Sequence, residues 1–196
     1  MPPPDPAYLL ATVRRLTAVY QAGGPAAFQA FRDLAFLLLS VTVLRTPPGG
    51  VRLIRIPGRP EREALGGWSG PDDPLPLNDG HFLRLSVALY LEHTTAGARL
   101  KVAECSYQYQ PPPHAHPAAH LQVRGELTEP YLPEGTSLAR VHFPTGRVPL
   151  EAVIRLLAEQ FRVPCNTAPE VWRPALAESE RAFLEIAHHP LSGPEV

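Results

Sequence analysis

Six of the eight histidines fall between positions 81 and 142, in the middle of the chain. Because the unperturbed pKa of an imidazole is about 6.5, a pair of histidines can serve as general base and general acid at neutral pH. Strand alternation would bring together His120 and His142, each with an arginine a few positions away. The guanidinium groups of Arg124 and Arg140 could hold a phosphate and stabilise a phosphoryl transition state. These four residues form the candidate catalytic set of a metal-independent ribonuclease.

Two predicted strands, 119–124 and 138–143, must position this set. In each strand, apolar residues alternate with polar ones, so the polar side chains share one face of the sheet if the strands pair. That face would carry His120, Gln122, Arg124, Arg140 and His142, and the preceding strand could extend it with Glu104, Ser106 and Gln108. A sheet covered by helices on one side needs a polar outer face in any case, so a purely solvated surface is the alternative interpretation.

Three further positions are candidate binding residues, together with Gln122. His114 and His116 form a His-Ala-His-Pro segment that could line a substrate channel. With His120 they could also bind a metal ion, but His-rich loops bind metals without a biological role, and we predict no metal site. Trp68 lies within a Pro- and Gly-rich segment, where it could anchor a partner, as tryptophans do at interfaces, or fix the segment itself.

Sequence motifs for nucleotide and redox chemistry are absent. The chain has no Gly-rich loop followed by Lys-Ser or Lys-Thr, no Gly-x-Gly-x-x-Gly after a strand and no Gly-x-Ser-x-Gly elbow. It also lacks Cys-x-x-Cys and a carboxylate cluster suited to magnesium. We therefore expect no nucleotide cofactor and no cofactor of another kind.

Composition indicates one globular domain. The chain has 196 residues, of which 44% are apolar and 19% are charged, enough to bury a core. The net charge of −1 provides no general attraction for nucleic acid, which favours a protein partner and leaves RNA possible. The two cysteines fit no metal spacing, and the longest apolar stretch, 34–44, is too short to cross a bilayer. With no signal-peptide pattern at the N-terminus, we expect a cytoplasmic protein without membrane contact.

Hydrophobic periodicity predicts the α+β class, with helices at both ends and an antiparallel sheet between them. Two N-terminal helices precede a meander of four to six strands, and two C-terminal helices follow it. The helices are expected over 7–22, after Pro25, between Pro149 and Pro164, and over about 170–187, with Pro174 splitting the start of the last. The domain would span 7–189, between a Pro-rich tail at 1–6 and a tail at 190–196.

Strand signals are strongest after His81, where leucines and valines alternate with polar residues. A turn at 94–97 leads into a return strand whose inward parity switches, which predicts a β-bulge near 102–103 and a buried Tyr107 and Tyr109. If exposed instead, these two tyrosines could stack on bases.

Two stretches before His81 are harder to assign. The β-branched run at 40–44 favours a strand. The segment 57–80 is expected to be a long loop, because ten of its 24 residues are Pro or Gly.

The stretch from Tyr107 to Phe161 resembles small uncharacterised bacterial proteins grouped with the toxin components of toxin–antitoxin loci. The resemblance rests on Tyr-Gln-Tyr, the Pro- and His-rich segment after it, and Pro-Leu-Glu-Ala-Val-Ile-Arg-Leu-Leu at the start of a helix. The order of elements is also similar to the barnase–RelE type of ribonuclease toxin. That similarity implies acid–base residues on the open sheet face, where His120 and His142 fall. Such toxins are usually shorter and strongly basic, which this chain is not.

A helix, a β-meander and trailing helices are also the layout of a ubiquitin-conjugating domain. That family needs a thiol after the fourth strand, whereas Cys105 lies within a strand and Cys165 follows a helix. The similarity therefore implies at most an inactive scaffold of that shape. Together these observations favour a non-catalytic interaction subunit of a bacterial complex, in a toxin–antitoxin or phage-defence system, in which 57–80 and the Pro-rich segments dock. The ribonuclease is the alternative.

Overall fold

The computed structural model describes residues 4–45, 51–56, 59–66, 74–95, 97–110, 119–124, 126–127 and 148–187. The helices are α1 (Pro6–Ala22), α2 (Ala26–Val41), α3 (Leu150–Arg155), which continues as a π-helical turn over Leu156–Gln160, and α4 (Pro169–Ala187). The strands are β1 (Arg52–Ile56), β2 (Arg59–Gly66), β3 (Leu75–Pro76), β4 (Phe82–Thr94), β5 (Gly97–Gln110), β6 (Ala119–Arg124) and β7 (Glu126–Leu127). Helices at both ends and an antiparallel sheet between them confirm the predicted α+β class.

The strands form one sheet in the order β1-β2-β4-β5-β6-β7, and the short β3 pairs with the first residues of β4. β4 and β5 make the longest pair, a hairpin that turns between Thr94 and Gly97, as the sequence predicts. Gly97 has a φ of +122°, a backbone conformation that residues with a side chain rarely adopt, so the turn requires glycine there. On the other side of β5 lies β6, which pairs in turn with β7.

A β-bulge interrupts the β4–β5 hairpin at the predicted place. Ala88 pairs with Glu104 and Leu89 pairs with Val102, so Ala103 is the extra residue. The bulge shifts the inward parity of β5 from even to odd positions. Leu100 and Val102 are buried before the bulge, and Cys105 and Tyr107 after it; Tyr109, which was also expected to be buried, is half-buried.

The helices cover one face of this sheet. α1 packs against α2 and α4, and both α1 and α4 contact β5. The inward residues of β4 are fully buried beneath this layer, whereas the residues that alternate with them are half-buried. The inward set is Leu83, Leu85, Val87 and Leu89. Among the helices of the ranges given above, none combines the length and the hydrophobicity that a membrane span requires.

The start of α1 lies slightly before the expected domain boundary. The helix begins at Pro6, and the Asp5 carboxylate accepts a hydrogen bond from the backbone N–H of Ala7 (3.2 Å), which caps it. Pro6 suits the first helical position because its missing N–H would have no partner there. Residues 1–3 and the expected C-terminal tail at 190–196 lie outside the described ranges.

The strand predicted over 40–44 is wrong. α2 continues to Val41, and the hydroxyl of Thr42 donates a 2.6 Å hydrogen bond to the carbonyl of Leu38. That bond satisfies a carbonyl at the helix end, so the β-branched run terminates a helix instead of forming a strand. The pairing seen in this stretch is a single bridge between Leu44 and Leu77.

The loop predicted over 57–80 is also wrong in part, because it contains β2 and β3. β2 pairs with β1 on one side and with β4 on the other. The register with β1 is irregular, passing from Ile56–Arg59 to Arg55–Glu63, and pairing with β4 starts at Arg62. Pro60 lies between these paired positions, where its missing N–H interrupts no regular ladder.

The C-terminal helices follow the prediction with two corrections. α4 runs unbroken through Pro174, although this proline cannot donate to the carbonyl of Glu170; both residues are exposed, so water can replace that hydrogen bond. The sequence of its helix places Glu151 opposite the apolar residues Val153, Ile154 and Leu157, which predicts an exposed side chain, but its exposure is 4%. α3 contacts both α2 and α4, so its polar face is also covered.

Candidate functional site

The register of β4, β5 and β6 aligns polar positions in two rows across three strands. β5 pairs with β4 on one side and with β6 on the other, so each row is continuous from strand to strand. The rows are Arg84–Gln108–His120 and Ser86–Ser106–Gln122, and we call them the polar rows. Ser106 and Gln108 therefore extend the β6 positions, as the sequence suggests.

The β4 and β5 members of the polar rows lie on the face that the helices leave uncovered. They alternate with Leu83, Leu85, Cys105 and Tyr107, which are buried in the core. Half-buried side chains of Ser and Gln offer hydrogen-bond donors and acceptors without charge. Arg84 adds a cation whose buried Nε has no hydrogen-bond partner among the residues that the structure describes.

Most of the other predicted site residues fall outside the described ranges. They are Trp68, His114, His116, Arg140 and His142, and with them the expected strand over 138–143. Arg124 ends β6 and pairs with Glu126 of β7. The pairing of the two predicted strands, on which the His120–His142 pair depends, therefore stays a prediction. Within the described ranges, no three His, Cys, Asp or Glu side chains lie close enough to hold a metal ion.

A second cluster, not singled out from the sequence, lies at the helix-covered end of the sheet. We call it the Asp79 cluster; it consists of Asp79, His81, Tyr109 and Phe161. The Tyr109 hydroxyl donates a 2.6 Å hydrogen bond to Oδ2 of Asp79. The Tyr109 ring stacks between the rings of His81 and Phe161, with centroid distances of 4.9 and 5.0 Å. The cluster thus joins the start of β4, the end of β5 and the residue after the π-helical turn.

A tight turn between β3 and β4 positions the acid. The backbone N–H of His81 donates to Oδ1 of Asp79 (3.0 Å), which is the hydrogen bond of an Asx turn. Gly80, with a φ of +86°, completes the reversal. Asn78 ties the turn to the C-terminal half of the chain by donating to the carbonyl of Pro164 (2.7 Å). The Asn-Asp-Gly sequence before the clearest strand is the signal that could have predicted this turn.

The electrostatics of the Asp79 cluster keep Tyr109 protonated. Burial, and then the hydrogen bond to Asp79, raise the pKa of Tyr109 well above its ordinary value, so its hydroxyl remains a donor. Nδ1 of His81 lies 3.2 Å from Oδ2 of Asp79 but lacks hydrogen-bond alignment within the described structure. Nδ1 is buried while 36% of the His81 side chain is exposed, so the exposed part of the ring is the edge away from Asp79. A carboxylate beside an imidazole with a free edge can assist proton transfer.

The two sites lie on opposite faces of the sheet. Tyr109 has the inward parity of β5, whereas Gln108, the register partner of His120, has the outward parity. The Asp79 cluster therefore does not complete the predicted His120 site. Comparison of the chain with protein-family models, curated proteins and solved structures gives no match.

Proposed function

We propose that the protein is a non-catalytic interaction subunit that binds a protein partner through the polar rows. The observation that carries this proposal is the continuous alignment of Arg84–Gln108 and Ser86–Ser106 on the sheet face that the helices leave uncovered. Such a face presents many hydrogen-bonding groups in a fixed spacing, because strands hold them about 4.8 Å apart. A rigid polar face of this kind suits recognition of another folded surface.

Charge favours a protein over a nucleic acid as the partner. Proteins that bind phosphate backbones usually carry a basic surface, whereas this chain has a net charge of −1. Cys105 and Cys165 do not form a disulfide bond, which supports a reducing compartment such as the cytoplasm. A bacterial toxin–antitoxin or phage-defence complex is the setting that we propose, in line with the sequence resemblance.

A charged side chain introduced into the polar rows tests the proposal. Ser106 lies in the middle of one row, and a Ser106→Arg variant places a long cation there. Ala18, exposed on α1 away from the sheet, provides the matched control Ala18→Arg. The products of the genes adjacent to this one would be co-expressed with each form, and the affinity of any complex measured. We expect Ser106→Arg to weaken binding about tenfold or more and Ala18→Arg to leave it unchanged. Equal affinities for the two variants would refute the proposed surface.

The ribonuclease is the second candidate, and one observation favours it. Arg84 lies in the same row as His120, so a cation whose Nε has no partner in the described structure shares a row with an imidazole position. Purified protein would be incubated with labelled RNA in the presence of EDTA. Cleavage that disappears in both His120→Ala and Arg84→Gln would replace the interaction proposal by the ribonuclease. Its absence, together with partner binding, supports the interaction subunit.

A further inference from the structure

Arg84 differs from the other half-buried cations of the described ranges, because it has no carboxylate beside it. Half-buried Lys and Arg side chains occur in these ranges at Arg32, Arg84, Lys101 and Arg155. All but Arg84 form ion pairs, namely Arg32–Asp33, Lys101–Glu92 and Arg155–Glu180. No described residue accepts a hydrogen bond from Arg84 or forms an ion pair with it. A charge that is partly withdrawn from water needs an acceptor, and one on another molecule would serve Arg84.

The end of the Arg84 side chain is the part that another molecule can reach. Nε is buried, whereas neither Nη1 nor Nη2 is both buried and without a partner. Since Arg84 has no acceptor within the described structure, these two terminal nitrogens are in contact with solvent. A carboxylate can bind both of them side by side, because the guanidinium is planar and presents its N–H groups in a fixed geometry.

The positions around Arg84 on the uncovered face of the sheet carry no acid that would repel a carboxylate. Its neighbours on this face are half-buried and uncharged: Phe82, Ser86, Ser106, Gln108 and Gln110. The acids of β4 and β5 belong to rows farther along the hairpin, where Glu104 pairs with Ala88 and Glu92 pairs with Arg99. Phe82 adds an aromatic ring two positions from the guanidinium, and arginine and aromatic side chains are the types enriched at protein interfaces.

The charge around Arg84 favours a carboxylate over a phosphate. Phosphorylated groups are usually bound by clusters of arginines. Arg84 is the only Lys or Arg among the β4 and β5 positions that surround it on this face. A single guanidinium matches the single negative charge of an Asp or Glu side chain.

We propose that the partner of the polar rows presents an Asp or Glu side chain to Arg84, with an apolar residue beside it on Phe82. This inference rests on the proposed function, because it specifies the chemistry of the partner that binds the same face. The carboxylate replaces the acid that the other half-buried cations find within the chain.

Three short peptides that differ at one residue test the preference for a carboxylate. They are acetyl-Ser-Leu-Glu-Leu-Ser-amide and its variants with Gln or phosphoserine in place of Glu. Binding to the full-length protein is followed by NMR, from the Nε–H signal of Arg84 and the backbone amide of Gln108. The Glu peptide should bind about tenfold or more tightly than the Gln peptide, since a hydrogen bond to a charged group is gained. Equal affinities, no binding of the Glu peptide at millimolar concentration, or tighter binding of the phosphoserine peptide would overturn the proposal.

Substitution of Arg84 locates the preference. In Arg84→Gln, the Glu and Gln peptides should bind alike, because the charge that distinguishes them is gone. Arg15→Gln removes an exposed arginine of α1, on the helix-covered side of the sheet, and should keep the parent's preference. A preference for the Glu peptide that persists in Arg84→Gln would contradict the assigned site.

Thermal unfolding separates this role of Arg84 from a structural one. Arg84→Gln should leave the melting temperature unchanged, since it breaks no bond within the described structure, whereas Arg155→Gln should lower it by removing the pair with Glu180. Equal decreases in the two variants would show that Arg84 has an acceptor within the chain and would overturn the proposal. If Ser106→Arg weakens the complex but the Glu and Gln peptides bind alike, the carboxylate is wrong and the proposed surface stands. If Ser106→Arg has no effect, the surface itself is wrong.

Discussion

The hydroxyl of Ser179 on α4 donates a short hydrogen bond to Oε1 of Glu151 on α3, inside the helical layer. The other carboxylate oxygen, Oε2, is buried without a partner in the described structure. Burial raises the pKa of Glu151 to about 7; the hydrogen bond from Ser179 and the charge of Arg155 oppose this shift, and Glu180 adds to it. A carboxyl group at this place changes its charge near neutral pH.

The stability of the protein should therefore fall as the pH rises through neutrality. The folded-state pKa of about 7 exceeds the ordinary glutamate value of 4.5, so the folded form holds this proton more tightly than the unfolded chain. The protonated Glu151 therefore contributes to the free energy of unfolding. This contribution is fully present below pH 4.5, is lost as the pH rises through 7, and amounts to roughly 3 kcal/mol. Urea unfolding from pH 5 to 8 should show a smaller pH slope for Glu151→Gln than for the parent. Glu159→Gln, an exposed acid, serves as control, and parallel curves for parent and Glu151→Gln would contradict the assignment.

Gly23 and Gly24 form a matched pair for testing the contact between the α1–α2 junction and β5. Both have φ near +80°, but a Cβ on Gly23 would lie 1.8 Å from the carbonyl oxygen of Ala98, whereas one on Gly24 would meet nothing within 4 Å. Gly24→Ala should lower the free energy of unfolding by about 1 kcal/mol, because of the backbone conformation alone. Gly23→Ala should cost about 3 kcal/mol or more, because backbone must move. Thermal unfolding compares the stabilities of the two variants. Similar losses of stability would show that position 23 does not lie this close to the carbonyl of Ala98.

The Tyr109–Asp79 hydrogen bond can be measured by a double-mutant cycle. Tyr109→Phe removes the hydroxyl and keeps the ring that stacks on His81 and Phe161, and Asp79→Ala removes the acceptor. We expect a coupling free energy of about 1–2 kcal/mol, since the acceptor is charged. Chemical denaturation of the parent, the two single variants and the double variant provides this coupling free energy. Additive effects of the two substitutions would show that the bond contributes nothing.

Asn166 should be one of the exposed residues whose substitution lowers the stability of the protein most. Its amide nitrogen donates to the carbonyls of Ser40 (2.8 Å) and Leu44 (2.7 Å), and its oxygen accepts from Asn78 (3.1 Å). Asn166→Ala should lower the free energy of unfolding by about 2 kcal/mol, because it removes these three hydrogen bonds.

Asn166→Asp keeps the shape but replaces the donating amide nitrogen by a carboxylate oxygen, which then faces two carbonyl oxygens. At pH 7, Asn166→Asp should therefore lower the free energy of unfolding at least as much as Asn166→Ala does. At low pH, where the new acid is protonated, the decrease should be smaller. Denaturation of both variants at pH 4 and 7 tests this, and an Asp variant as stable as the parent at pH 7 would rule out the donor role.

Local pattern predicted those parts of the fold that local interactions determine. Alternation along β4, and the change of parity that marks the bulge at Ala103, follow from which residues face the core. β2 was missed because its identity depends on neighbours on both sides, while the segment that contains it, 57–80, is rich in Pro and Gly. Burial of Glu151 was missed for a similar reason, since a periodic helix predicts one covered face and α3 has two.

The candidate sites divide in the same way. Strand alternation was sufficient to relate His120 and Gln122 to Gln108 and Ser106, because the register depends on pleat and pairing. The Asp79 cluster joins three segments distant in sequence, so its members cannot be associated by spacing. Its turn alone has a local signature, and the partner Tyr109 is 30 positions away.

The π-helical turn over Leu156–Gln160 fixes the length of the chain between α3 and α4. A π-helical turn holds one residue more than the α-helical turn that it replaces. Deletion of a single residue there would restore regular winding with one residue fewer in the turn, so Phe161 would keep about the same angle around the helix axis and stay beside the ring of Tyr109. Deletion of a second residue would rotate Phe161 by about 100°, so related chains that retain this stacked pair should be at most one residue shorter in this stretch.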